Sequence, residues 1–533
     1  MNNAELIVRM LRDAGVRHAF GIPSGNVLPM LEALRTGGIE FVLMAHEGSA
    51  AFAADVTARL TGRPGFCLAT MGPGATNLTT GVGCAYLDRS PVVALTCNVP
   101  TNQLGRRVQM VIDHHALFRP ITKATCPLRE GNIAATLGDA VRVALSEPSG
   151  PVHLDLPEDV ALAEAGETPV PPPPAGRVPP ASDEDVARVA WMLRNARRPV
   201  AVIGASARRM RNATLLRTFV EQHQLPFATT TMAKGMIDED HPLSIGCIER
   251  ARRQVQREFV RSADLVIGLG YDVAEVEYEQ WIGSVPLIGI DMERADVDAS
   301  VTMAHEAVGD LDDTLTRLVN QPAGPHEWPS DAASRQRERL AEALRPAAPG
   351  FTPSDAIDAA RHVLPREGIL AFDVGAHTHQ IASQWTAHAP GQFLVTNSWS
   401  SMGFGLPAAI AAKLARPDLP VLCIVGDGCF QMTCGEVAVA SRLGLALPIV
   451  VLDDGWLSLI EIKQVKRALG VYGTRLRREE RRPARSHYFG APNVQVSTPE
   501  ELEGALEAAL RADGPTVIEA AIDPRQYKQT VYD

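Results

Sequence analysis

Two apolar runs stop at aspartates. Residues 421–427 read VLCIVGD and lead into Gly428, and residues 448–454 read PIVVLDD and lead into Gly455. Asp427 and Asp454 are 27 residues apart in the chain (454 − 427 = 27). β-Branched runs of this length read as buried strands, and open parallel sheets take ligands beyond the carboxyl ends of their strands. The turn Gly426-Asp427-Gly428 opens a helix, CFQMTCGEVAVASRLG, whose free backbone N–H groups favour a phosphate. An adjacent strand ending in Asp453-Asp454 brings a second carboxylate to the same point. Two carboxylates facing an anion make sense when a hard divalent cation such as Mg²⁺ bridges them. The plainer alternative is that Asp427 caps its helix. The second strand ending in DDG weighs against it.

The N-terminal part suggests different chemistry. The run FVLMA (41–45) meets His46-Glu47-Gly48 and then the small-residue helix SAAFAADVTARL. A carboxylate at a strand end can share a proton with a bound group, although most such glutamates only cap a helix at the surface. Met71 to Leu78, MGPGATNL, is a Gly-rich turn after a strand, where a ligand can approach the backbone closely. Gly268-Leu269-Gly270 also follows a strand, but the third glycine of a dinucleotide fingerprint is missing. A core strand with a small-residue turn explains it better. A non-catalytic nucleotide-binding protein remains the alternative of another class.

These residues need elements to position them. With 533 residues the chain is too long for one core. A Pro-rich stretch at 168–180 and a Pro/Gly-rich stretch at about 320–352, around one charged helix, divide it. The expected domains are 1–167, 182–320 and 353–533. Each alternates β-branched runs with amphipathic helices, so the fold class is α/β, with three open, mostly parallel sheets. A formal charge of −11 argues against nucleic acid as partner. The eight cysteines show no metal-binding spacing and read as reduced core thiols. The first twenty residues are wrong for a signal peptide, and no apolar run approaches a membrane span. The expected location is cytoplasmic, with no membrane partner.

Together HEGSAAFAAD (46–55), GPGATNL (72–78), DVGAHTHQ (373–380), NSWSSMGFGLPAAIAA (397–412) and GDG…LDDG resemble the thiamine-diphosphate enzymes of the acetolactate synthase and 2-oxoacid decarboxylase superfamily. The resemblance spans essentially the whole chain. It implies an N-terminal pyrimidine-binding domain, a Rossmann-like middle domain and a C-terminal diphosphate-binding domain, with thiamine diphosphate and Mg²⁺ as cofactors. By this resemblance Asp427, Asp454 and the carbonyl of Trp456 hold the metal, though many members carry Asn at the position of Asp454. Gly375, Ala376 and His377 would contact the diphosphate, as would Gly428 and Cys429; Ala376 stands where acetolactate synthases often have Gln. Met402 would wedge under the bent cofactor and the Ser400 carbonyl would meet its aminopyrimidine. Gly72 and Asn77 belong to the pyrimidine side, and Glu47 would hydrogen-bond the pyrimidine N1′ and drive its tautomerisation.

On the substrate side the resemblance implies Gln109, while QMVIDHHALF runs one residue longer than usual. His114 and His115 are similar to the histidine pair of decarboxylases but sit nearer the next strand, and are read as surface residues or as lying behind the site. Asn26, in GIPSGN (21–26), resembles a loop of benzoylformate decarboxylase. Gly270 to Tyr278, GYDVAEVEY, resembles the GYDPxEY stretch of flavin-free acetolactate synthases, so FAD is not expected. The implied reaction decarboxylates a 2-oxo acid, pyruvate favoured, and adds the remaining fragment to a second carbonyl. The alternative is a decarboxylase or lyase acting on a larger or aromatic 2-oxo acid. The implied assembly is a homodimer or homotetramer with active sites at subunit interfaces.

Overall fold

β-Branched and small apolar runs form three separate sheets in the computed structural model, which describes residues 1–275, 282–477 and 485–531. The first contains β1 (His18–Gly21), β2 (Glu40–Leu43), β3 (Gly65–Thr70), β4 (Val92–Asn98), β5 (Ala124–Pro127) and β6 (Val152–Pro157), in the order β2-β1-β3-β4-β6-β5. The second contains β7 (Pro199–Ile203), β8 (Phe227–Thr229), β9 (Ser244–Cys247), β10 (Leu265–Leu269), β11 (Leu287–Asp291) and β12 (Met303–Val308), in the order β12-β11-β10-β7-β8-β9. The third contains β13 (Ile369–Phe372), β14 (Phe393–Leu394), β15 (Val421–Gly426), β16 (Pro448–Asp453), β17 (His487–Tyr488), β18 (Ala491–Val496) and β19 (Thr516–Ala521). Its order is β14-β13-β15-β16-β19-β18-β17.

Every pairing is parallel except β17 with β18. β3, β4, β6, β7 and β10 are buried at every position, because helices cover both faces of a parallel sheet. Residues 168–180 carry neither helix nor strand, and the charged helix of the second break is Ala332–Ala343. Among the described residues, no helix is long and apolar enough to cross a membrane.

The first and third sheets share one core. Helix Glu47–Thr61 packs against helix Gly405–Ala415, and Phe52 meets Phe404 edge to face at 5.6 Å. Small residues also bring helix Pro73–Leu87 close to helix Glu47–Thr61: a Cβ on Gly81 would lie 2.5 Å from the Ala51 Cβ. Beside them lies a buried charge cluster. Arg59 stands between Asp55 and Asp88 and donates 2.7 Å to the carbonyl of Val395, while Asp88 accepts the Ser398 N–H at 3.1 Å. The first domain thereby anchors the segment that leads into residues 400–402.

Removing a single partner from a buried ion cluster strands the others, at a cost of about 3–5 kcal/mol. Arg59→Met is therefore expected to lower the unfolding free energy of the N-terminal domain by about that amount, read from urea titrations. A loss below about 1 kcal/mol would match a surface pair instead.

Candidate active site

β13, β15 and β16 are neighbours, and each is followed by an aspartate. Gly426 at the end of β15 pairs in register with Leu452 of β16, so the two following turns lie side by side. Asp427 is buried; its carboxylate accepts the Gly428 N–H at 2.9 Å and the Gly455 N–H at 3.0 Å. It ties one strand turn to the other and does not cap the end of helix Asp427–Thr433. Asp453 does not line the cavity at these strand ends and pairs with Arg477 at 2.6 Å. Asp454 lines that cavity, accepting from the Trp456 N–H at 2.9 Å and the Ser458 hydroxyl at 2.7 Å. Burial pushes its pKa up to about 6, with the Asp453 charge adding to the shift.

A third strand-end carboxylate, Asp373, completes the row. It is fully buried and accepts N–H groups from Val374 at 2.8 Å, Gly403 at 2.9 Å and Gly405 at 3.0 Å. Burial raises its pKa even against these donors. One side chain thus holds the turn after β13 against the turn that carries Met402. ILAFDVG repeats the pattern of an apolar run, Asp and Gly, so the signal for Asp373 was present in the sequence.

The cavity measures about 510 Å³. Gly375, Ala376 and His377 form one wall, Ser400 and Met402 another, and Gly428, Cys429 and Trp456 a third. His377 is buried and its Nε2 has no hydrogen-bond partner; burial, with the nearby His379, lowers its pKa to about 4 and keeps it neutral. Its ring lies between two glycines, where a Cβ on Gly375 or Gly426 would come within 2.7 or 2.9 Å of Cε1. Ser400 has φ 51°, a left-handed conformation that is costly for Ser and common where a backbone is held for a ligand. The Cys429 thiol donates 3.1 Å to the Val374 carbonyl, which joins the β13 and β15 turns. Amides at a helix start, an unanswered imidazole nitrogen and two hard carboxylates are the donor set that a diphosphate with a divalent cation requires. The residues fit that group.

Glu47, Gly72 and Asn77 gather elsewhere. His46 is the true cap of helix Glu47–Thr61, with its Nδ1 accepting the Gly48 N–H at 3.0 Å. Glu47 is therefore not a surface cap: it is 8% exposed and accepts 2.9 Å from the Asn77 amide. Gly72, with φ 60°, lies under the loop that holds exposed Gln109, since a Cβ there would meet the Met110 carbonyl at 2.5 Å. Asn26 is half-buried, 3.4 Å from the Asn98 carbonyl.

His114 departs from the surface reading. It is buried, and its Nε2 accepts the Gly72 N–H at 3.3 Å while its Nδ1 lies 2.9 Å from Asp155. Thr96, between β4 neighbours, joins His114 to His153. His115 is half-buried and reaches the same network through Thr125 at 2.6 Å. The spacing of His114 and His115 hid this, because their partners come from β4, β5 and β6. Glu47, Gly72, Asn77, Asn26, Gln109, His114 and His115 do not line the diphosphate-type cavity of their own chain.

The middle domain reaches that cavity through Glu249 and Glu275. Glu249 pairs with His379 at 2.9 Å; burial would raise its pKa, but His379 and Thr231 bring it down to about 2. Glu275 is buried, and its carboxylate takes the N–H groups of Ala205 and Met232 and the Thr230 hydroxyl, each at 2.8 Å. Burial pushes its pKa up to about 8. Gly270, at φ 64°, touches the turn after β7, where its Cβ would lie 2.4 Å from the Ala207 nitrogen. Residues 276–278 of GYDVAEVEY lie outside the described residues.

Comparison with known proteins agrees with this geometry. Three family models match: the thiamine pyrophosphate enzyme N-terminal TPP binding domain over residues 1–117, the central domain over 186–318 and the C-terminal TPP binding domain over 373–520. The acetolactate synthase isozyme 1 large subunit of Escherichia coli is 32% identical, covering 98% of this chain and 94% of its own length. The chain belongs to the acetolactate synthase family of thiamine pyrophosphate enzymes. The isozyme 2 large subunit of the same organism is 31% identical over 98% and 96% of the two chains, and the acetolactate synthase of Bacillus subtilis 28% over 98% and 93%. The three sheets are those of a three-domain thiamine pyrophosphate enzyme, and thiamine diphosphate (the same compound) is the cofactor that the matched domains bind.

Asp373 has a specific consequence in this family setting. Asp373→Ala orphans three backbone donors, each worth about 1–3 kcal/mol when left unpaired in a buried place. The variant is expected to melt several degrees lower and to bind thiamine diphosphate at least tenfold more weakly, read by fluorescence titration. Wild-type affinity would show that the two turns hold their places without it.

Proposed function

We propose that this chain is an acetolactate-forming carboligase, using pyruvate as donor and a second 2-oxo acid as acceptor. What carries this reading is the pairing, within one chain, of a cavity suited to a cation and diphosphate with a separate buried carboxylate, Glu47. The acetolactate synthase relatives support carbon–carbon bond formation as the outcome. Thiamine diphosphate, when bound, supplies the electron sink that lets a 2-oxo acid lose CO₂ and its remaining fragment add to a carbonyl. Asp427, Asp454 and the Trp456 carbonyl would hold Mg²⁺ against the diphosphate, and Gly375, Ala376, His377, Gly428 and Cys429 would cradle its oxygens. Met402 would fill the space beneath the cofactor, and the Ser400 carbonyl would accept from its amino group. Glu47, fixed by Asn77, would hold a proton at the pyrimidine N1′.

Glu47 and the cavity occupy different places in one chain, so a second copy must bring them together. We therefore infer a homodimer, or a pair of dimers, with sites at the interface. The domains in this account are 1–167, 182–320 and 353–533. FAD is not part of this reading; beside the β7/β10 switch point Glu275 takes the N–H groups of Ala205, after β7, and Met232, after β8. The buried thiols of Cys67, Cys97 and Cys247, raised by burial, suit a reducing, cytoplasmic setting.

The second reading is a decarboxylase or lyase on a larger 2-oxo acid. It is favoured by one observation: the His114–Asp155 network touches Gly72, and proton delivery there would favour protonation over carbon addition. Pyruvate alone separates the two. A C5 hydroxy-oxo acid with CO₂ is the expected product by mass spectrometry; aldehyde alone, or turnover only of an aromatic 2-oxo acid, supports the second reading.

Glu47→Gln should bind thiamine diphosphate normally yet slow hydrogen–deuterium exchange at the cofactor C2 by ~10²–10⁴-fold, the range of a general acid–base group. An unchanged exchange rate would remove Glu47 from this role.

A further inference from the structure

A second cavity, of about 590 Å³, lies where all three domains meet and shares no lining residue with the first. Its walls come from the end of helix Glu47–Thr61 and residues 89–91 and 145–149, from residues 208–210 and 232–236 after β7 and β8, and from residues 389–394 around β14. Arg59, Arg89, Arg208, Arg209, Lys234 and Arg416 face it, against two carboxylates, Glu147 and Glu367.

Most of these cations are answered within the fold. Arg59 has Asp55 and Asp88; Arg89 has Glu293 at 2.6 Å and Asp272 at 3.5 Å; Arg209 has Glu147 at 2.8 Å; Lys234 has Glu239 at 2.8 Å. Arg416 donates to the Leu60 carbonyl at 2.5 Å. Arg208 differs: among the described residues it has no hydrogen-bond or ion-pair partner. Burial and the nearby Arg59 charge lower its pKa to about 10, only partly offset by the carboxylates of Asp88, Glu275 and Asp55, which do not bond it, so it stays charged at neutral pH. A guanidinium carries five donors and cannot shed its proton, so leaving it unanswered in a recess costs free energy that an anion would return. The rest of the wall is apolar and deformable, with Met210, Met232, Met236, Phe393 and Leu394.

We propose that this junction cavity binds a small organic anion, its carboxylate or phosphate head on Arg208 and its apolar body among the methionines. Occupancy braces three domains at once. It also touches the first cavity through one residue: Met232 lines the junction, and its N–H is held by Glu275, which lines the cofactor side.

The test uses the full chain saturated with thiamine diphosphate and Mg²⁺ at constant ionic strength, with isovalerate, its neutral amide and inorganic phosphate as probes. Isovalerate or phosphate is expected to raise the melting temperature by about 2–4 °C at saturation and to slow amide exchange over residues 205–210; the amide does neither. The larger effect identifies the head group. Arg208→Met should melt no lower than wild type, having lost an unanswered charge, and should lose the response. If neither anion changes melting or exchange, or if Arg208→Met keeps the full response, the site does not exist. Should Arg208→Met fail to fold, the wild-type exchange map decides alone.

Discussion

Three carboxylates at the ends of neighbouring parallel strands, two buried and one half-buried, set the terms for the rest of this molecule. A buried charge is costly unless donors or a cation answer it, and the fold answers these three to different degrees. Asp373 receives backbone N–H groups from two loops, and Asp427 receives one from each of two strand turns. Asp454 has a hydroxyl and one N–H, and burial together with the neighbouring Asp453 charge pushes its pKa up. The same row of carboxylates that fixes the loops is where the proposed cation would sit.

The surrounding architecture serves that row. Parallel pairing of β13, β15 and β16 aligns the strand ends, and burial on both faces makes the register strict. The loop bearing Ser400 and Met402 is held from two sides, by Asp373 in its own domain and by the Arg59 cluster of the N-terminal domain through Val395 and Ser398. The middle domain contributes differently. Glu275 ties the turns after β7 and β8 together, and the domain lends Glu249 and Glu275 to the wall of the neighbouring cavity.

Much of this was legible in the chain because the informative residues are local to their elements. GDG and LDDG announce themselves as strand ends within ten residues, whereas MGPGATNL, read as a turn, turns only at Met71-Gly72 and runs on as helix Pro73–Leu87, since its proline suits a first helical turn. The sequence left the histidines between the surface and a place behind the site, because nothing near them reveals Thr96, His153 or Asp155, which parallel pairing of β4, β5 and β6 brings together. Glu249 and Glu275 were invisible as wall residues for the same reason: inter-domain packing, not periodicity, puts them there. Arg208 sits in the basic run ARRMR (207–211), where nothing local reveals that, among the described residues, it has no hydrogen-bond or ion-pair partner.

The central claim is that a divalent cation between Asp427 and Asp454 holds the cofactor diphosphate, and titration of thiamine diphosphate at several Mg²⁺ concentrations tests it most directly. Asp427→Ala removes a charged ligand without replacement and should abolish cofactor retention at ordinary Mg²⁺, whereas Asp454→Asn keeps an oxygen of similar reach, removes one negative charge beside the diphosphate and should bind at least as well as wild type. Wild-type binding by Asp427→Ala, with the same Mg²⁺ dependence, would contradict the account.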